Sequence, residues 1–258
     1  MRKLKARSSA LLLALCAAKA QAQLADPVVY EKMFAEYELS GLKGGEWVEY
    51  ETTGETVERG SPGTPDKAAW RLACVGVEPD AILLETNRET EHWWPGTVIV
   101  YSVDRKSGLV TKAWWGKPGE PGKEVEVPKS DDKKPANPVK KTGFEGSGTI
   151  KISKEKLSVP AGDFECEKSE SDITTKLPQR EYRQKTATWT SEKVPFPLKR
   201  PAAGAPDPYD GKVKTEGKAE GKGGEVKSTF EESDSEWVLT STTVLKRSGN
   251  DAKMSLKK

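Results

Sequence analysis

The sequence predicts a mainly β protein: one large antiparallel sheet that curls on itself, with a single helix at its N-terminal side. Three observations carry this. About a dozen short stretches rich in Val, Ile, Thr, Trp or Tyr recur along the chain, each bounded by Gly, Pro or Asp. They follow one another through short turns with no helical run between, which makes neighbours antiparallel. Of the eight tryptophans, Trp47, Trp70, Trp114 or Trp115, Trp189 and Trp237 fall inside such stretches, where each ring can bury ~150–250 Å². A sheet this wide must curl, close or cover one face. A concave side lined by these aromatics, with the helix against it, is expected.

The chain opens Met1-Arg-Lys-Leu-Lys-Ala-Arg7, runs from Ser8 to Ala18 with almost nothing polar, and reaches Ala20-Gln-Ala22. A basic region, a short apolar run and an Ala-x-Ala site read as a secretory signal peptide over residues 1–22, cleaved after Ala22. The apolar run is shorter than the ~20 residues that span a bilayer. An uncleaved anchor and lipidation at Cys16 are the alternatives; Leu15 stands where a small residue would precede a lipidated cysteine. No second hydrophobic segment follows, so no transmembrane segment is expected and the product is periplasmic or secreted. Residues 1–22 hold five Lys/Arg and no acids, so of 42 basic and 40 acidic residues the remainder keeps 37 and 40, a formal −3. Mixed-sign charge without a basic stripe argues against a nucleic-acid partner.

In chain order, Asp26-Pro27 is a good N-cap and first helical residue. Val29, Tyr30, Met33, Phe34 and Tyr37 form an apolar stripe at helical spacing that Gly41 or Gly44-Gly45 ends. Strands are expected at about 46–53, 69–77, 81–89, 97–104 and 109–115, with the loop Asp104 to Gly108 turning a hairpin. Residues 116–146 break the pattern with five prolines and many charges, and read as a mobile excursion. Strands resume at about 147–153, 156–159, 163–172 and 180–190, pause at a Pro-rich loop over 194–210, and finish at 211–216, 225–232 and 236–246. Residues 23–247 thus make one β-rich domain, with a frayed tail over 248–258.

Cys74 and Cys166 remain after the leader. Cys74 shares a strand face with Trp70 and Leu72, and Cys166 with Phe164, so both are expected to point into the core. In an oxidising compartment an even pair suggests a disulfide, closing a loop of roughly 90 residues worth about 4–5 kcal/mol in the chain-entropy account. Two buried free thiols are the alternative.

The sharpest local signal is Leu157-Ser-Val-Pro-Ala-Gly-Asp-Phe-Glu-Cys-Glu-Lys168. Pro160 ends one strand, Gly162 supplies a positive φ, and Phe164 and Cys166 then share an inward face. Val159-Pro-Ala-Gly-Asp-Phe-Glu-Cys-Glu-Lys168 resembles a VPAGxFxCxK hairpin of exported bacterial proteins of uncharacterised function. Trp189-Thr-Ser191, Val194-Pro195 and Val213-Lys214 follow in the order seen there, with Phe196–Asp210 as a long insertion. The resemblance covers roughly residues 147–246 and implies a half-barrel similar to the periplasmic lipoprotein carriers of the LolA/LolB class. It brings no catalytic residues.

Chemistry is thinly signalled. The one histidine, His92, lies in Arg88-Glu-Thr-Glu-His-Trp-Trp94 and reads as part of a solvated turn; with Glu89 and Glu91 it falls short of the four ligands of a closed zinc site. No nucleophile elbow and no phosphate-binding Gly-Lys-Ser/Thr ending appears. The chain is therefore expected to be no enzyme and to need no cofactor or metal. Trp93-Trp94 and Trp114-Trp115 each send one ring to either face of a strand. The expected function is binding of an apolar or lipid-like ligand, with Trp47, Trp70, Trp114, Trp189 and Trp237 as candidate contacts. The alternatives are an interaction module of the cell envelope that uses the charged loop 116–146, and, least supported, a hydrolase acting through His92 or carboxylates.

Overall fold

Twelve strands form one sheet in the computed structural model, which describes residues 29–58, 60–89, 96–129, 145–177, 180–199, 213–220 and 223–257. They are β1 (Trp47–Glu58), β2 (Thr64–Val77), β3 (Ala81–Glu89), β4 (Val98–Asp104), β5 (Val110–Gly116), β6 (Lys123–Val125), β7 (Glu145–Val159), β8 (Gly162–Leu177), β9 (Arg180–Ser191), β10 (Val213–Glu216), β11 (Gly224–Ser233) and β12 (Trp237–Gly249). Their order across the sheet is β10-β7-β8-β9-β11-β12-β1-β2-β3-β4-β5-β6. The mainly β expectation holds, as does the meander of the first half.

The sheet curls without closing: β10 and β6 stay at its two edges. Three strands separate β7 from β12 in this order, ~19 Å along a flat sheet at ~4.8 Å per strand, yet Cα atoms of β7 and β12 come within 8 Å. Every pairing is antiparallel except β10 with β7, where Val213 to Glu216 run parallel to Gly148 to Lys151. The hairpin singled out above forms, but its turn is Pro160-Ala161 and not a type II turn with Gly162 at its third position: Gly162 already opens β8. Val159 pairs with Gly162 across a two-residue turn, and Gly162 has φ +128°. The Asp104 turn also forms: its carboxylate accepts from the Ser107 N–H at 2.8 Å, and Gly108 takes φ +75°.

The N-terminal helix is not there. No residue described is helical, and residues 31–36 are successive turns. The reason lies in where the backbone bonds go. In a helix the Glu31 carbonyl would accept from Ala35 N–H; instead Ala35 bonds Lys32 O, and Glu31 O accepts from Val110 N–H at 2.8 Å. Glu36 O likewise accepts from Lys199 N–H at 2.6 Å, and Glu38 N–H donates to Pro197 O at 2.7 Å. Tertiary partners outbid a modest helical preference. Val29, Phe34, Leu39 and Leu42 are buried while Tyr30 and Met33 are exposed, a spacing no single helix face gives. The segment is a strap across the sheet, with the Phe34 ring edge-on to Tyr101 at 5.0 Å.

Two further expectations change. The excursion begins as ordered chain: β6 pairs with β5 and Val125 is buried, while residues 130–144 lie outside those described. The tail is packed rather than frayed, with Leu256 in a second apolar cluster beside Leu83, Val98 and Val100. The main cluster lies under the strap and under Val194 and Phe196.

Candidate ligand-binding cleft

Cross-strand pairing places Trp47, Ala73, Glu85, Val100 and Trp114 in one row over β1 to β5. Paired residues point to the same side of a sheet, so this row lines one face. The sequence does not announce the row: β4 reads Val98-Ile-Val-Tyr-Ser-Val103, apolar on both faces, so alternation there does not say which side Val98 and Val100 take. The C-terminal segment, residues 250–257, crosses it. The Trp47 indole N–H donates to Asp251 at 2.8 Å and holds that carboxyl below its ordinary range, while the Arg71 guanidinium lies over the Trp47 ring at 4.7 Å. Ala252 N–H bonds Gly45 O at 2.9 Å. Further along, Ser255 donates twice to Glu85, from N–H at 2.7 Å and from O–H at 2.6 Å.

Between the segment and the sheet lies a cleft of about 350 Å³, walled by Leu83, Val100 and Trp114 on the sheet and Met254 and Leu256 on the segment, with Gly122 beside them. Gly122 keeps it open: a Cβ there would stand 2.9 Å from both Leu256 Cδ1 and the Trp114 Cβ, closer than carbon atoms pack. Glu85, Ser255, Met254, Leu256 and Gly122 were not foreseen as site residues. The signal that could have found Glu85 is a lone carboxylate in the apolar run Ile82-Leu-Leu-Glu85; nothing local links it to residue 255.

The five candidate tryptophans do not share a face. Trp70 pairs with Tyr50 and stacks on it at 4.5 Å. Trp189 pairs with Lys227, which pairs with Val244, which pairs with Glu51, so by register it falls on the Glu51 side of β1, yet its buried ring belongs to the same main cluster as Tyr50, against which Trp70 packs. Trp47 and Trp114 also lie opposite Trp70. Trp237 pairs with Glu58, on the Trp70 side but at the far end of β1. Of the five, only Trp114 lines the cleft. Trp189 is 7 % exposed, its ring between the ammonium groups of Lys168 at 4.9 Å and Lys227 at 5.1 Å, its N–H given to Glu155.

The inside of the curl holds a second hollow of about 560 Å³, lined by Thr149, Lys151, Glu170, Asp172, Lys185 and Glu231 among others. It is polar and its charges are largely matched. Arg183 grips Asp172 with two bonds of 2.8 and 2.6 Å and holds that carboxyl below its usual range; Lys185 meets Glu231 at 2.8 Å. Hydrocarbon gains little from such a wall.

Cys74 and Cys166 are both buried free thiols, so the expected disulfide is absent. Their strands, β2 and β8, have four others between them in the sheet order, whereas bridged Cα atoms must lie within ~7 Å. Burial pushes each thiol up to about 11. His92, Trp93 and Trp94 lie outside the described residues. Among the described residues no three His, Cys, Asp or Glu side chains cluster as a metal ion would need, and no helix is long and apolar enough to cross a membrane.

No family model and no curated relative matches the chain. Among solved structures it is similar to a protein of Bacteroides fragilis described provisionally as exported, with a YmcC-like fold, at TM-score 0.30 and 12 % identity over 83 % of this chain and 99 % of that one. A protein of Parabacteroides distasonis described provisionally as a lipoprotein gives TM-score 0.29 and 13 % identity over 83 % and 99 %. A DUF1329 family protein of Desulfovibrio piger gives 0.27 and 8 % over 83 % and 88 %. These likenesses are remote.

Proposed function

We propose that this is an exported, non-catalytic protein of the cell envelope that holds an apolar, lipid-like group in the cleft between β3–β5 and the C-terminal segment. The observation that supports this is the wall itself: Leu83, Val100, Trp114, Met254 and Leu256 face one space. An aliphatic chain placed there leaves water at ~25 cal/mol per Å² of apolar surface, and a mostly apolar cleft with few polar groups is the usual form of such a site. The basic-then-apolar leader and Ala20-Gln-Ala22 support export, and the resemblance of the 159–168 hairpin supports a carrier class. The strap of residues 29–42 covers the main core and buries Val29, Phe34, Leu39 and Leu42 in it.

The test is native mass spectrometry of the mature protein exported from a bacterial host, followed by the same sample denatured. The expected result is a native mass that exceeds the denatured one by that of a lipid-sized molecule, with the excess reduced in Trp114→Ala. Equal masses, together with no uptake of added long-chain fatty acid, would overturn the reading and leave the charged loop 116–146 as a contact arm for another envelope protein.

A further inference from the structure

We infer that residues 250–257 are a movable strap that opens and closes the cleft, latched by Glu85 and Ser255. The inference rests on the cleft being the binding site proposed above. Met254 and Leu256 supply one wall of that cleft, so a ligand held against Trp114 is enclosed by the strap and escapes most directly when it lifts. How the strap is attached says that it can lift. Among the described residues it pairs with no strand: a bridge joins Lys257 to Pro121, next to the backbone bonds of Gly119 to Ser255 and Lys257 to Glu120, and Ala252 bonds Gly45 further back. Segments with few and isolated bonds open locally well before the fold does.

The two ends are held differently. At Asp251 and Ala252 the strap is pinned by Trp47 and Gly45, on strand β1 and the turn before it. At 254–257 its firmest hold is on Glu85. That carboxylate is 4 % exposed, in a row between Ala73 and Val100, with Leu83 two residues away on the same face. A carboxylate is costly in such a place unless hydrogen-bonded. Its oxygens take both donors of Ser255, at 2.7 and 2.6 Å, and charge-assisted bonds of this length are the strong kind. Lifting Ser255 strips the carboxylate of both, which favours the closed strap, while water that enters an opened cleft can replace them. Glu85 and Ser255 are thus positioning residues: they set how often the cleft opens and need not touch the ligand.

The test is hydrogen exchange on the mature protein, resolved at the amides of Gly119, Ser255 and Lys257, in the unsubstituted chain, Ser255→Ala and Glu85→Gln. Dissociation of an anthroyloxy-labelled stearate is measured in parallel. Ser255→Ala is expected to speed exchange at these amides about tenfold, leave the β1–β12 ladder unchanged, and speed release of the probe by a similar factor. Glu85→Gln, which keeps an acceptor and loses the charge, should fall between. Exchange at these amides that occurs only with global unfolding, in all three proteins, would overturn the strap. Faster exchange in Ser255→Ala with no probe bound by any of the three would retain a moving strap and overturn the ligand reading on which its function depends.

Discussion

Glu225 is a carboxyl whose buried surroundings oppose its charge. It sits at the β11 bulge, where the pairing with β9 shifts between Glu225 and Lys227. Its backbone carbonyl accepts from the Tyr50 hydroxyl at 2.8 Å, and its side chain accepts from Ser228 at 2.7 Å. Burial raises its carboxyl above the ordinary range, against the smaller effect of the Ser228 bond, while Tyr37, with burial as the main cause and Glu225 next, is pushed up to about 12. A carboxyl whose pKa is higher folded than unfolded holds its proton longer in the fold. Its contribution is therefore fully present below the ordinary glutamate value of about 4.3 and is lost as pH rises through the folded value. Glu225→Gln should remove that loss. Urea unfolding from pH 4 upward is expected to show the variant gaining on the parent as pH rises toward neutrality; parallel curves would contradict it.

Residue types and pairs were readable where chemistry is local. The Asp104 turn, the Pro160–Gly162 hairpin and the burial of Cys74, Phe164 and Cys166 all follow from spacing. The side to which each tryptophan points was not. A strand's alternation is fixed only until a bulge, and four pairings in this sheet carry a register shift: β1 with β12, β9 with β11, β2 with β3 and β4 with β5. Each inserted residue reverses inward and outward beyond it. Trp70 and Trp189 fall on opposite sides by register because they pair, across the strands between, onto the neighbouring β1 residues Tyr50 and Glu51, although each reads as an inward aromatic in its own strand.

At the scale of elements, the strap of residues 29–42 does the work expected of a helix. The apolar stripe Val29, Tyr30, Met33, Phe34, Tyr37 was legible; that Val110, Pro197 and Lys199 would claim its backbone groups was not, because those partners lie 79 or more positions away in sequence for Val110 and further for the rest. The strap covers core, so its anchors should count as core. Phe34→Ala removes a ring that is 5 % exposed and edge-on to Tyr101, and is expected to cost about 3–5 kcal/mol in denaturant unfolding. A loss under ~1 kcal/mol would show the strap to be dispensable. The parallel β10–β7 pair is a second element beyond local signals: Val213 to Glu216 carry too few residues to announce a partner, and the long connection from β9 lets them return alongside β7 in the less usual direction.

At the scale of the molecule, the sheet divides its labour by face. One face of β1–β5 is filled by the N-terminal strap. The opposite face carries the row from Trp47 to Trp114, covered by the C-terminal segment with a cleft left beneath it. The inside of the curl over β7–β12 is polar, with matched charges. A large curled sheet was foreseeable from strand number and spacing, whereas the apolar cleft arises from contacts between positions about 170 apart, Glu85 with Ser255, and was not. The most direct measurement is photo-crosslinking of the mature protein with a diazirine-bearing long-chain fatty acid, mapped by peptide sequencing and competed with unlabelled fatty acid. The account predicts competable adducts on Trp114, Met254 and Leu256. Adducts confined to the polar hollow around Asp172 and Lys185, or none that compete, would contradict it.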